Sequence, residues 1–269
     1  MSKQAPPKIK LYTNHGCGWS QRVHITLKEL DLPYEEVLLD LDKPRPDWFL
    51  KLNPRGLVPV LEYTPSSSGQ DLSSATAEVK PFILTESGPI VDFLISLHPS
   101  HLSPIPPALA SRALHPEAAF RHYQARILVD NYFTNVNPLM FKLVGAATPD
   151  ATQDVVSSIL NKLKSEIEPL VQALISTNDP EAPFYTKSRN LTLAEIMIAP
   201  FSLRLLDFAN GVIFPTSLKE RIKTETEGFY MWTERVRKHP SVGDTWDPDY
   251  CVPRIEERLP AAKTKYADA

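Results

Sequence analysis

The sequence predicts an α/β domain built on a mixed four-stranded sheet, followed by a domain made of helices alone. Three observations predict it. Residues 8–12 are β-rich, a helical pattern with Val23, Leu27 and Leu30 on one face follows, and residues 34–39 are β-rich again. A strand, helix and strand joined this tightly make a parallel pair across a crossover helix. Two further strand patterns, at 57–63 and 82–85, return on one another as a hairpin. Beyond a proline-rich break at 98–107 every periodic stretch is helical, which divides the chain into domains at 1–98 and 99–269.

Each element has its own signal. The first helix is closed by Asp31-Leu32-Pro33, and a short second one is expected from Arg45-Pro46-Asp47-Trp48, with proline in its first turn, to Asn53-Pro54-Arg55-Gly56. The third strand opens at Pro59, a position that sheets tolerate, and Val58–Pro59 is a candidate cis bond. Residues 64–80, rich in Ser, Thr, Gly and Ala, read as an extended surface loop. Glu86 and Ser87 end the fourth strand just before a helix carrying Ile90, Phe93, Leu94 and Leu97. In the second domain, 116–141 is helical and so is 151–175, where Pro169 predicts a kink. Thr192-Leu193-Ala194-Glu195 is a capping box that opens a mostly apolar, hence central, helix. A last strong helix spans 227–239, and the remainder reads as a tail containing Cys251.

Composition bounds the function. With 269 residues and a net charge of −3, and a pI near 6.2, the chain makes no electrostatic case for nucleic acid or an anionic membrane surface. Two cysteines exclude a disulfide framework and suit a reducing compartment. The first seven residues lack the apolar core of a signal peptide, and no stretch reaches the length of a membrane span, so a cytoplasmic protein is expected. His98 and His101 have ligand-like spacing but no nearby Cys or acidic partner, and no metal is expected.

The chemistry concentrates at Asn14-His15-Gly16-Cys17-Gly18-Trp19-Ser20. Cys17 falls at a strand-to-helix turn, where unpaired N–H groups and the helix dipole favour a thiolate. Cys17-x-x-Ser20 is a redox motif whose second sulfur is replaced by a hydroxyl. A mixed disulfide on Cys17 must therefore wait for an external thiol, and the abundant intracellular one is glutathione.

These residues resemble the cytosolic glutathione transferases, in particular the omega-like, cysteine-type class in a fungal-like variant. Four features carry the resemblance over nearly the whole chain: Cys17-Gly18-Trp19-Ser20-Gln21-Arg22, the segment from Asn53 to Leu61 with its candidate cis proline, the pair Glu86-Ser87, and the capping-box helix from Thr192. The resemblance implies a thioredoxin-like first domain that binds glutathione and an all-helical second domain that holds the acceptor, with the acceptor site open between them. Cys17 would be the nucleophile and Trp19 part of the wall between the two sites. Val58, before Pro59, would pair through its backbone with the cysteinyl residue of glutathione. Glu86 and Ser87 would receive the γ-glutamyl end, and Arg45 the glycine carboxylate. A homodimer is the family's usual state. Departures are Gly18 in place of the usual proline, Asp42 where an apolar residue is usual, and the long 64–80 loop.

The leading expectation is a glutathione-dependent thiol transferase or reductase acting on small glutathionyl adducts, disulfides or dehydroascorbate-like oxidants. The alternative is conjugation of glutathione to an electrophile in detoxification or secondary metabolism. That reaction needs a hydroxyl to activate glutathione itself, and Tyr12 is the nearby candidate. A third reading, a ligand-binding protein without turnover, is opposed by the retained cysteine, Glu86 and Ser87.

Overall fold

The computed structural model describes residues 6–66, 80–98, 100–102, 116–175 and 181–267. Most of the expected 64–80 loop, and the prolines at 99, 104, 106 and 107, lie outside the described residues. The chain forms two compact units, Met1–His98 and Pro99–Ala269.

The first unit contains β1 (Lys8–Thr13), α1 (Gly18–Glu29), β2 (Glu35–Leu38), α2 (Asp47–Leu52), β3 (Val60–Thr64), β4 (Phe82–Thr85) and α3 (Ser87–Leu97). The sheet order is β2-β1-β3-β4. β2 runs parallel to β1, while β3 runs antiparallel to both β1 and β4. Strand side chains alternate between faces. Ile9, Leu11, Leu61 and Tyr63 therefore share one face, where they pack with Val23 and Leu27 of α1 and Ile90 and Leu94 of α3. Tyr12 and Val60 take the opposite face and pack with Leu39 and with Phe49 of α2. Each fully buried leucine or isoleucine in these layers contributes about 2 kcal/mol.

Two boundaries differ from the expected ones. α2 begins at Asp47 with Pro46 as its cap, since the fixed φ of proline suits the extended cap backbone (φ −66°, ψ 148°) as well as it suits a first turn. β3 begins at Val60, directly after a cis Val58–Pro59 peptide.

The second unit is helical: α4 (Pro116–Asn131), α5 (Asn137–Gly145), α6 (Pro149–Lys162), α7 (Glu168–Leu174), α8 (Leu193–Asp207), α9 (Thr216–Glu225), α10 (Glu227–Arg237), α11 (Pro240–Gly243) and α12 (Pro248–Lys265). The long helices expected at 116–141 and 151–175 are each interrupted by a five-residue π turn, Tyr132–Val136 and Leu163–Ile167. Both turns precede a proline, Pro138 or Pro169. Proline lacks an N–H and its ring displaces a carbonyl one turn earlier, so the preceding residue reaches back five positions. Asn137 N–H accordingly donates to Tyr132 O, and Glu168 N–H to Leu163 O.

The capping box of α8 is present, and its Glu195 is fully buried. The carboxylate accepts from Tyr185 N (2.7 Å), Thr192 N (2.8 Å), Thr192 Oγ1 (2.5 Å) and Trp232 Nε1 (2.7 Å). Those bonds tie α8 to α10, and α8 is buried from Leu193 to Leu206. Glu168 caps α10 from outside, accepting from Gly228 N and Phe229 N at 2.8 Å each.

The expected tail is α12, an 18-residue helix whose end packs on α5: a Cβ at Gly145 would lie 1.9 Å from Tyr266 O. Cys251 is buried in α12, and burial pushes its thiol pKa up. No described helix is long and apolar enough to cross a membrane.

Candidate functional site

The register of three strands gathers the motifs. Tyr12 of β1 lies opposite Val60 of β3, which lies opposite Thr85 of β4. Because β3 is antiparallel to its two neighbours, the end of β1, the start of β3 and the end of β4 coincide. The turn to Cys17, the Val58–Pro59 pair and Glu86–Ser87 therefore leave the sheet at one end. β2 ends there too, since Thr13 pairs with Leu38.

The Cys17 turn is built by Asn14. Its Oδ1 accepts from Gly16 N (3.0 Å), its backbone O accepts from Cys17 N (3.0 Å), and its Nδ2 donates to Leu39 O (2.9 Å). Cys17 is the cap residue of α1, with extended backbone and no side-chain capping bond. The residue is half-buried at the N-terminus of that helix. Ser20, the hydroxyl in place of a second thiol, is buried one turn on.

Trp19 is 37% exposed, and the guanidinium of Arg22 lies 4.5 Å from its ring centroid. Arg22 is itself buried and donates from Nη1 to Ser87 Oγ (3.2 Å). The structure thus links the Cys17 helix to the first residue of α3 through a buried cation. Glu86, the cap residue of α3, sits at φ +68°, a region L-residues rarely adopt. Its carboxylate pairs with Arg55 Nη1. Arg22 and Arg55 both stood within the sequence motifs, but their partners lie on other elements, and spacing alone gave them no role.

The loop before Val58 is held from both sides. Asn53 Nδ2 donates to Leu57 O (2.9 Å), its Oδ1 accepts from Arg55 N (3.1 Å), and Gly56 takes a left-handed φ of +65°. Arg45 donates from Nε to Gly56 O (3.0 Å), from Nη1 to Asp40 O (2.8 Å) and Lys43 O (2.6 Å), and from Nη2 to Leu41 O (3.3 Å). A guanidinium has about five N–H donors, so this network leaves no pair for a bidentate carboxylate clamp. In this structure Arg45 fastens the loop after β2 to the loop before β3.

Tyr12, the candidate hydroxyl for conjugation, sits in the sheet. It lies on the α2 face, 5.8 Å from the Trp48 ring centroid, and its hydroxyl donates to Glu62 Oε2 (2.9 Å). Burial and the Glu62 carboxylate push the phenol up to about 12. A hydroxyl so committed is a poor activator for a ligand thiol.

Known proteins resemble the chain in its first unit and in its fold. Residues 11–104 match the family model for the glutathione S-transferase N-terminal domain. Pyrimidodiazepine synthase of Drosophila melanogaster is 28% identical over 124 residues, 46% of this chain and 41% of that protein. Glutathione S-transferase omega-1 of Mus musculus is 25% identical over 166 residues, 60% of this chain and 58% of that protein. The chain thus spans less than two thirds of the length of these relatives. The crystal structure of glutathione transferase Omega 3C from Trametes versicolor superimposes with a TM-score of 0.68 at 21% identity, covering 97% of this chain and 94% of that one. The thioredoxin-like first unit and helical second unit are those of that fold, and the first unit carries the sequence signature of the glutathione S-transferase N-terminal domain.

Proposed function

We propose that the protein is a glutathione-dependent thiol transferase, with Cys17 as nucleophile. The observation that carries this reading is the single half-buried thiol capping α1, at the sheet end shared with Val58, Glu86 and Ser87, with a hydroxyl at the resolving position. The Cys17 thiolate attacks the glutathione sulfur of a mixed disulfide. That disulfide bond breaks, and its other sulfur leaves as a thiolate that takes a proton. A second glutathione, as thiolate, then attacks the glutathione sulfur on Cys17, releasing glutathione disulfide and the free Cys17 thiolate. The net change converts one mixed disulfide and one reduced glutathione into the free substrate thiol and one glutathione disulfide.

Glutathione is held in this reading along the start of β3, with Val58 offering backbone groups as an adjacent strand would. Its γ-glutamyl carboxylate faces the N-terminus of α3 at Ser87, and its ammonium faces Glu86. Trp19 borders the sulfur. Conjugation is the weaker reading, because Tyr12 donates to Glu62.

The test is the intact mass of the protein after incubation with oxidised glutathione. Wild type gains one glutathione, excess reduced glutathione removes it, and Cys17→Ser gains none. An adduct that persists in the variant, or thiol transfer that survives there, would overturn the assignment of Cys17.

A further inference from the structure

A second cluster of chemistry-bearing side chains lies on the same unit. His15 stands on the turn after β1, His24 on α1 and Glu36 on β2. One ligand atom from each lies within 4.8 Å of the other two. The Glu36 carboxylate is bracketed: Oε2 lies 2.8 Å from His15 Nε2, and Oε1 lies 3.6 Å from His24 Nδ1. We propose that His15, His24 and Glu36 form a binding site for a divalent transition ion of the Zn2+ type, separate from the Cys17 thiol.

Donor chemistry selects the ion class. Two imidazoles and one carboxylate suit Zn2+ and its neighbours, whereas Mg2+ and Ca2+ want oxygen alone. The far side of His24 is prepared for such a ligand. Its Nε2 lies 2.8 Å from Thr13 Oγ1, a buried hydroxyl at the end of β1. When Nε2–H donates to that oxygen, the Nδ1 lone pair faces the Tyr34 hydroxyl at 2.9 Å and Glu36 Oε1 at 3.6 Å. An oxygen that fixes the tautomer of a ligating histidine is the usual supporting device in zinc sites. An ion would replace the Tyr34 hydrogen bond at Nδ1, and the Tyr34 hydroxyl would keep its bond to Glu36 Oε1 (3.3 Å).

Closure around an ion is mechanically easy. Bonds of about 2.0–2.2 Å place tetrahedral ligand atoms roughly 3.3–3.5 Å apart, so the side-chain tips must move by about an ångström. His24 is buried, with 6% of its side chain exposed, whereas Glu36 at 34% and His15 at 51% are exposed enough to shift. An ion there would staple β2 and α1 to the turn two residues before Cys17 without drawing on the thiol.

The experiment is competition for Zn2+ between a chromophoric chelator and the untagged full chain, in wild type, Cys17→Ser, Glu36→Gln and His15→Ala. His24 is buried and its replacement would test folding, so the two accessible ligands carry the test. Wild type and Cys17→Ser each bind one ion per chain. Glu36→Gln and His15→Ala each lose at least tenfold in affinity, while their metal-free melting temperatures stay near that of wild type. Co2+ bound to wild type gives visible d–d bands without a thiolate charge-transfer band. Binding lost in Cys17→Ser would place the ion on the thiol. Unchanged affinity in both ligand variants, or no binding by wild type, would leave the cluster as a surface ion pair beside a packed histidine. Either result overturns the proposal.

Discussion

Glu86 joins a strained backbone to the binding role proposed for it. Its φ of +68° is a strained conformation for a residue with a Cβ, costing on the order of 1–3 kcal/mol. Its exposed ion pair with Arg55 returns little of that. Glu86→Gly should therefore raise unfolding free energy by about 1 kcal/mol in urea titration, yet raise the KM for glutathione roughly tenfold by removing the partner of the ammonium. Glu86→Gln separates the two effects: the strain stays, so stability is unchanged, and the KM still rises. A Glu86→Gly variant no more stable than wild type would mean that the backbone at this turn is relaxed. Ser87 behaves differently because its hydroxyl accepts from the buried Arg22. Ser87→Ala should weaken glutathione binding and also cost about 1–3 kcal/mol of stability, so a binding loss without a stability loss would contradict the Arg22 contact.

At the scale of elements, legibility in the sequence followed periodicity. The strands and α1 were readable because their apolar residues alternate or recur on one face, and the α8 capping box was readable because cap and acceptor lie three residues apart. The second role of Glu195 was not, since Tyr185 and Trp232 reach it from other segments. α12 was missed for a physical reason: Pro253 and Pro260 lie inside it, and tertiary burial of Cys251 and Leu259 holds a helix that local propensity argues against. The Glu86–Ser87 placement was legible, whereas the His15, His24 and Glu36 cluster exists only through the pairing of β1 with β2. Arg45 was legible as a cation, but its bonds to the loop carbonyls of Asp40, Leu41, Lys43 and Gly56 were not, because a loop that folds back leaves no trace in spacing. Glu195 gives the sharpest test at this scale. Glu195→Ala would leave buried donors at Thr192, Tyr185 and Trp232 without an acceptor, at roughly 1–3 kcal/mol each before relaxation. Its urea midpoint should fall by more than that of Thr192→Ala, which removes one cap worth about 1 kcal/mol. Equal losses in the two variants would show that the carboxylate acts as a cap alone.

Over the whole molecule, burial of tyrosines gives each unit its own optical reporter. Burial pushes Tyr12 up to about 12, with the Glu62 hydrogen bond and charge adding to it. Tyr34 is raised by burial and by Glu36, and Tyr185 by burial and by Glu195. All three bind their protons more tightly folded than unfolded. Their stabilising contribution is therefore complete below the unfolded value near ~10 and is lost as pH rises from there through the folded values. A stopped-flow jump to about pH 11 should show native protein short of the unfolded chain by at least three tyrosinates. The missing absorbance then appears as the fold opens. Tyr12 and Tyr34 belong to the first unit and Tyr185 to the second, so Tyr185→Phe should remove the part that reports on the helical unit. If the two units unfold as one, the remaining amplitude keeps the wild-type rate. If they unfold separately, the amplitude splits into two phases, and only one of them shrinks in the variant. A native chain that ionised all nine of its tyrosines within the dead time would contradict the burial of these three phenols.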